Sequence, residues 1–221
     1  MQRKIITTSD GSKTIHIVEW DEQYHSKHGA IQEAYHVFIE SGLSLFKNGP
    51  VAILEIGFGT GLNAFITLLE AKKRRLNIFY NGVEAYPVTS EELEQLNYIS
   101  ELRAEDSQAE FELMHHCPWE KDVRITPDFT LHKQQKDFCE LNIENTFDLI
   151  YFDAFGARVQ PELWTEDTFA IMFRALKNKG VLATYSAKGS ARRAMQAVGF
   201  VVERLPGPPG KREMLRATKP N

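Results

Sequence analysis

Two β-rich stretches open the chain, Lys4–Thr8 and Thr14–Val18, on either side of Ser9-Asp10-Gly11-Ser12. Aspartate and glycine tolerate the positive φ of tight turns, so this spacing predicts a β-hairpin. A helical stretch follows over Ala30–Phe46, where Tyr35, Phe38, Ile39, Gly42 and Leu45 fall on one face, and Gly49-Pro50 ends it. Strand and helix patterns then alternate. The short apolar run Val51–Ile56 predicts a strand closed by a glycine loop, with its helix over Leu62–Arg74. Ile78–Glu84 is a second strand, and Thr89 with Glu92 forms a capping-box pattern at a helix start. Further helices are predicted over Phe111–Cys117, Glu166–Lys177 and Ser190–Val198, and strands over Phe129–Lys133, Phe147–Phe152 and Val181–Tyr185. Phe200–Arg204 and Glu213–Ala217 close the chain as two strands with only Leu205–Gly210 between them.

Short, wholly apolar strands alternating with helices predict an α/β fold, a doubly wound sheet with helices on both faces. The last two strands, with no helix between them, predict an antiparallel hairpin at one edge. No repeat, low-complexity tract or linker interrupts the 221 residues, so one domain is expected over 1–221. Within it, 1–48 forms an N-terminal hairpin and helix extension, and 49–221 the Rossmann-like core. Only Cys117 and Cys139 are present, which argues against a disulfide framework. The first residues lack an apolar signal-peptide core and no apolar run approaches bilayer length, so a cytoplasmic protein without a membrane partner is expected. A formal net charge of −4 disfavours indiscriminate polyanion binding yet leaves room for a local basic patch.

Glu55-Ile-Gly57-Phe-Gly59-Thr-Gly61 lies where the first apolar strand turns into a helix. Glycines at alternate positions let backbone approach a ligand closely, at the carboxyl ends of strands where open α/β sheets bind ligands. The spacing is G-x-G-x-G, which disfavours the dinucleotide fingerprint of a nicotinamide oxidoreductase, and the lack of a Lys-Ser/Thr pair excludes the phosphate loop. Glu55 stands where a carboxylate faces the ammonium of a methionine moiety. Gly57, Phe58, Gly59, Thr60, Gly61 and Asn63 join it as cofactor-binding candidates. Glu84, at the end of the second strand, suits two ribose hydroxyls, with a solvated strand-end acid as the plain alternative. Asp137 is a candidate for the adenine amino group, and an exposed acid at a helix start is an equal reading. Asp153 closes the most apolar strand, where an unpaired buried charge would be costly, so it is placed at the sheet mouth facing cofactor and substrate together. His115-His116-Cys117 lacks a second ligand pair and no metal is expected.

Together with Glu84–Val88, Asp153-Ala-Phe155, Pro161–Trp164, Thr184–Ala187 with Arg192-Arg193, Gly199-Phe200 and Gly210–Met214, this order resembles the methyltransferase domain of the bacterial tRNA 5-methylaminomethyl-2-thiouridine biosynthesis proteins. Tyr24-His-Ser26, Gly29 and Tyr35–Phe38 match the start of that family, while Ala154 stands where its pattern has glycine. The resemblance implies S-adenosylmethionine as cofactor and the anticodon loop of tRNA as partner. The implied reaction methylates the exocyclic amine of 5-aminomethyl-2-thiouridine at the wobble position. Many members carry a fused flavin-dependent oxidase; a stand-alone form, with the free amine supplied by other enzymes, is expected here.

An alkylamine must lose a proton before it attacks, and Asp153 is the catalytic candidate to orient it and help accept that proton. Phe155 and Trp164 are candidates to stack on the splayed-out base, although Trp164 suits a core position as well. Tyr185 and Ser186 are placed to line the pocket. Arg192, Arg193, Lys211 and Arg212 are candidates for anticodon phosphates. The alternatives are a methyltransferase acting on a small-molecule or protein amine, an aminopropyltransferase with an acidic polyamine groove, and an RNA-binding module that lost its cofactor.

Overall fold

In the computed structural model, which describes residues 2–221, the strand β4 (Pro50–Ile56) is central to an eight-stranded sheet. Its side chains alternate between two apolar layers. Val51 and Ile53 pack with α2 (Leu62–Arg74) and the helical segment after residue 30, whereas Leu54 and Ile56 pack with α6 (Glu166–Ala175) and α7 (Gly189–Ala197). A strand covered on both faces has no polar side, which is why the run lacks the alternation of a half-exposed strand.

The chain leaves β4 through α2 to β5 (Asn77–Val83), parallel to β4, and continues outward to β7 (Phe129–Gln134), parallel to β5. It then returns to the other side of β4 with β8 (Phe147–Phe152), followed by β9 (Leu176–Thr184). The winding direction therefore reverses between β4 and β8, and the crevice beyond their carboxyl ends is the position where such sheets bind ligands. The expected terminal hairpin is present. β11 (Glu213–Thr218) pairs antiparallel with both β9 and β10 (Val201–Pro206), leaving β10 at the edge.

Departures from the expected elements have local causes. The stretch Ala30–Phe46 is not one α-helix: α1 (Ala30–Ala34) passes into a π-helical segment, Tyr35–Glu40, and a 3₁₀ turn, Leu43–Leu45. Ser41 N donates to the carbonyl five residues back on His36, and a Cβ on Gly42 would lie 2.6 Å from the Phe38 carbonyl oxygen. The wider turn thus rests on a glycine that lets the chain close over Phe38. β9 begins at Leu176, within the stretch expected to be helical, because a register shift after the Phe147–Leu176 pair absorbs Lys177–Lys179. The capping box at Thr89 forms, but its helix α3 (Ser90–Leu93) is a single turn, followed by a second short helix, α4 (Tyr98–Glu101). Helix α5 (Gln108–His116) precedes β6 (Asp122–Thr126), an antiparallel edge strand outside β7. Only Ile125 of β6 is buried, so it lacks the apolar run that marks a central strand.

The N-terminal hairpin, β1 (Arg3–Thr7) and β2 (Lys13–Ile17), gains a third strand, β3 (Glu22–Gln23), and forms a separate small sheet. It is fixed beside the ligand crevice. Arg3 donates to the Pro87 and Tyr86 carbonyls and pairs with Glu92, and Lys13 N donates to the Asn97 side chain. No helix among the described residues is long and apolar enough to cross a membrane.

Candidate active site

A cavity of ≈ 730 Å³ opens at the carboxyl ends of the parallel strands, between the glycine loop and the small N-terminal sheet. Its floor is the turn from β4 into α2. Gly57 N and Phe58 N both donate to the Val83 carbonyl, so the loop folds toward β5. Gly57 has φ +87, and a Cβ there would lie 2.7 Å from the Asp153 carbonyl oxygen. Only glycine permits that approach of β4's loop to the end of β8.

Beneath this floor two acids share one amide. Asn63 Nδ2 donates to Glu55 Oε1 at 2.9 Å and to Asp153 Oδ2 at 2.8 Å. Glu55 has the parity of Val51 and Ile53 on β4, so its side chain is directed to the α2 face, where Tyr80 OH donates to Oε2 at 2.9 Å. It is 0% exposed and is absent from the cavity wall, a correction to its expected place against a methionine ammonium. Burial pushes its carboxyl well above the usual range, with the charge of Asp153 adding to the effect. Asp153 does line the cavity. Its pKa is pushed up to about 7, first by burial and then by the nearby Glu33, against the lowering effects of Asn63 and Lys211.

Glu84 and Asp137 also line the cavity. Glu84 accepts Gly59 N at 2.9 Å on one oxygen and Tyr86 N at 2.9 Å on the other, which fixes the carboxylate and leaves each oxygen a further lone pair. Asp137 is held by Cys139 N at 2.8 Å. Phe58, Gly59 and Asn63 reach the wall, whereas Thr60 and Gly61 turn away from it. Thr60 Oγ1 meets Tyr98 OH at 2.9 Å, and Gly61 begins α2 with φ +71. These two shape the turn and do not line the cavity.

The substrate candidates divide. Phe155 and Tyr185 line the cavity, and Tyr185 OH donates to the Ala154 carbonyl at 2.9 Å. Trp164 is a core residue and not a stacking platform: it is 5% exposed, packs on Phe152 and Phe169, and donates Nε1 to the Phe155 carbonyl at 2.8 Å. Trp164→Ala is therefore expected to cost about 3–5 kcal/mol in urea unfolding; a loss below about 1 kcal/mol would refute the core assignment. Ser186 is buried away from the cavity, in contact with the amide of Lys188. Arg192, Arg193 and Arg212 lie outside it, Arg193 and Arg212 exposed and Arg192 half-buried. Lys211, expected at a phosphate, instead points into the cavity and pairs with Glu33 at 2.6 Å. His115 contacts the Phe111 carbonyl one turn back and the Thr60 carbonyl of the glycine loop through its two ring nitrogens, and His116 contacts the Glu112 carbonyl, so both serve backbone contacts.

Sequence reasoning missed the wall contributed by the N-terminal segment. Trp20 and Tyr24 meet Phe155 edge-on at 5.5 and 5.1 Å between ring centres, and Arg158 is bound by the Trp20 and Asp21 carbonyls and by Glu22. Glu33, on α1, faces the same space. The match of Tyr24-His-Ser26 and Gly29 to a family pattern was the available signal, though it carried no role for these residues.

The donor set fits S-adenosylmethionine. Glycines cradle the floor where a Cβ would collide, the acids Asp153, Glu84 and Asp137 line the cavity as a molecule with two positive centres and a ribose diol requires, and the buried Asn63 Oδ1 has no partner. A family model described as S-adenosyl-L-methionine-dependent methyltransferase matches residues 105–220. The tRNA 5-methylaminomethyl-2-thiouridine biosynthesis bifunctional protein MnmC of Aromatoleum aromaticum is 32% identical over 96% of this chain and 35% of that protein. Its counterpart in Hydrogenovibrio crunogenus is 29% identical over 88% of this chain and 31% of that protein. The chain thus spans about a third of the length of the curated relatives it matches. Among solved structures, MNMC2 from Aquifex aeolicus superposes with a TM-score of 0.79 at 24% identity, over 100% of this chain and 72% of that one. Spermidine synthase from Thermotoga maritima shares the fold at a TM-score of 0.58 and 16% identity, over 98% of this chain and 72% of that one.

Proposed function

Because the chain belongs to the S-adenosyl-L-methionine-dependent methyltransferase family, we propose that it methylates the exocyclic amine of 5-aminomethyl-2-thiouridine at the wobble position of tRNA. The observation that carries this reading is Asp153, a carboxyl of raised proton affinity at the end of β8, facing a cavity walled by Trp20, Tyr24 and Phe155. Aromatic rings suit a planar base, and the acid suits the alkylamine attached to it.

S-adenosylmethionine supplies an activated methyl group when bound. The protein's own task is to hold the acceptor nitrogen in line, exclude water and deprotonate the amine; such positioning is worth about 7–11 kcal/mol. In this reading Glu84 takes the ribose hydroxyls, Asp137 the adenine amino group, and Gly57, Phe58, Gly59 and Asn63 the remaining floor. Glu55 acts through Asn63, whose amide it holds toward Asp153. Asp153 orients the amine and receives its proton. Phe155 and Tyr185 bound the acceptor side. Exposed Arg193 and Arg212, with half-buried Arg192, are proposed to meet anticodon phosphates outside the cavity, in a cytoplasmic reaction on tRNA. Residues 1–221 are proposed to act as one unit, since the N-terminal segment supplies a cavity wall.

The test is methyl transfer from labelled S-adenosylmethionine to tRNA carrying 5-aminomethyl-2-thiouridine, followed by nucleoside analysis. Label in 5-methylaminomethyl-2-thiouridine is the expected result. Cofactor binding without transfer to that tRNA would reject the substrate and direct the search to small-molecule or protein amines.

A further inference from the structure

Glu33 and Lys211 form an ion pair where the proposed reaction needs none. Glu33 is 8% exposed on α1 and lines the cavity, with Oε2 fixed by Ser26 N at 2.9 Å. Its Oε1 accepts Lys211 Nζ at 2.6 Å. Lys211 lies in the connection between β10 and β11, and its side chain ends inside the cavity, with Nζ 3.9 Å from the centre of the Tyr185 ring. A primary ammonium held between a carboxylate and an aromatic face is the arrangement by which proteins recognise alkylammonium ligands.

We propose that Glu33 is the second carboxylate of the acceptor-amine subsite, and that Lys211 fills this subsite as an internal counter-ion which the substrate's alkylammonium displaces. The inference rests on the amine substrate proposed above. A carboxylate buried without a counter-charge is costly, so a protein that must bind a cation here needs a substitute while the site is empty. A lysine suits that role, because its four-carbon stem retracts without moving the backbone. The two groups also act on the reacting acid: Glu33 raises the proton affinity of Asp153 and Lys211 lowers it. His25 and Asp10 share the field of Glu33 on the N-terminal side, and Glu22 acts with Glu33 on Tyr185. Displacement of Lys211 by the substrate therefore exchanges one ammonium for another and brings the reactive amine beside Asp153.

The experiment measures binding of two anticodon stem-loops by fluorescence anisotropy, with S-adenosylhomocysteine present to prevent turnover. One carries 5-aminomethyl-2-thiouridine and the other its uncharged 5-hydroxymethyl counterpart. The parent protein is expected to prefer the amine by about tenfold, the scale of one charge-assisted hydrogen bond. Glu33→Gln should reduce that preference to within about twofold, and Lys211→Met, which removes the competitor, should increase it about threefold. A merely structural ion pair predicts equal losses for both RNAs and an unchanged preference in both variants, and that result overturns the inference alone. A parent protein with no preference for the amine overturns the substrate assignment and the inference with it.

Discussion

Asp153→Asn is expected to lower the rate of methyl transfer by about 10²–10⁴-fold while S-adenosylmethionine binding changes little. Asparagine keeps the shape and can still bond Asn63, which holds Asp153 at 2.8 Å, but it cannot accept a proton from the amine. The pH dependence follows from the same group. With a pKa of about 7 against an ordinary 3.8, the carboxyl is increasingly ionised as pH rises, so the parent rate should climb to near neutral pH and then level off. The variant should lack that limb. Stability moves the opposite way. Between these two values the folded state holds a proton that the unfolded state has released, so the stability contributed by Asp153 is full below the lower value and is lost as pH rises through about 7. Asp153→Asn removes a half-buried charge and should therefore raise the free energy of urea unfolding at pH 8, by on the order of 1–2 kcal/mol and with a higher midpoint, and leave both unchanged near pH 3. Full activity in the variant would remove Asp153 from the reaction; a lower midpoint at pH 8 would contradict the burial argument.

Gly57→Ala is expected to weaken S-adenosylmethionine binding by at least about 100-fold, read by titration calorimetry. Two effects combine. The residue has φ +87, where an L side chain costs about 1–2 kcal/mol, and the new Cβ would lie 2.7 Å from the Asp153 carbonyl oxygen. Backbone cannot swing aside as a flexible side chain can, so the loop must move away from β8, taking the Phe58 amide from Val83. That shift separates the cofactor floor from the acid that serves the acceptor. A tenfold smaller loss would mean that the loop yields easily and that its closeness to β8 is not required. Gly49 is the contrast: it has φ +82 but nothing lies within 4 Å of a Cβ there, so alanine at that position meets only the backbone strain.

Much of the frame was legible because it is encoded in neighbouring residues. The apolar run of β4, its glycine loop and the run of β8 identify themselves without reference to any other part of the chain. The Thr89–Glu92 capping box is likewise a four-residue matter. Even the burial of Glu55 was readable, since it shares its parity on β4 with Val51 and Ile53, and the expectation of a ligand contact passed over that alternation. Edge strand β6 and the π-helical turn at Tyr35–Glu40 were not legible, because each depends on what packs against it more than on its own pattern.

By itself the sequence determined the doubly wound sheet and the place of the glycine loop at its carboxyl edge, since strand ends and tight turns are local events governed by backbone conformation and side-chain parity. Only the tertiary structure decided which polar groups meet. Glu33 and Lys211 stand 178 positions apart and touch because α1 and the β10–β11 connection close over the same crevice. Trp164 went to the core and Lys211 into the cavity for the same reason. Where a side chain lies on a connecting segment, no local period fixes its direction, and the neighbours that bury or pair it are chosen by the whole fold.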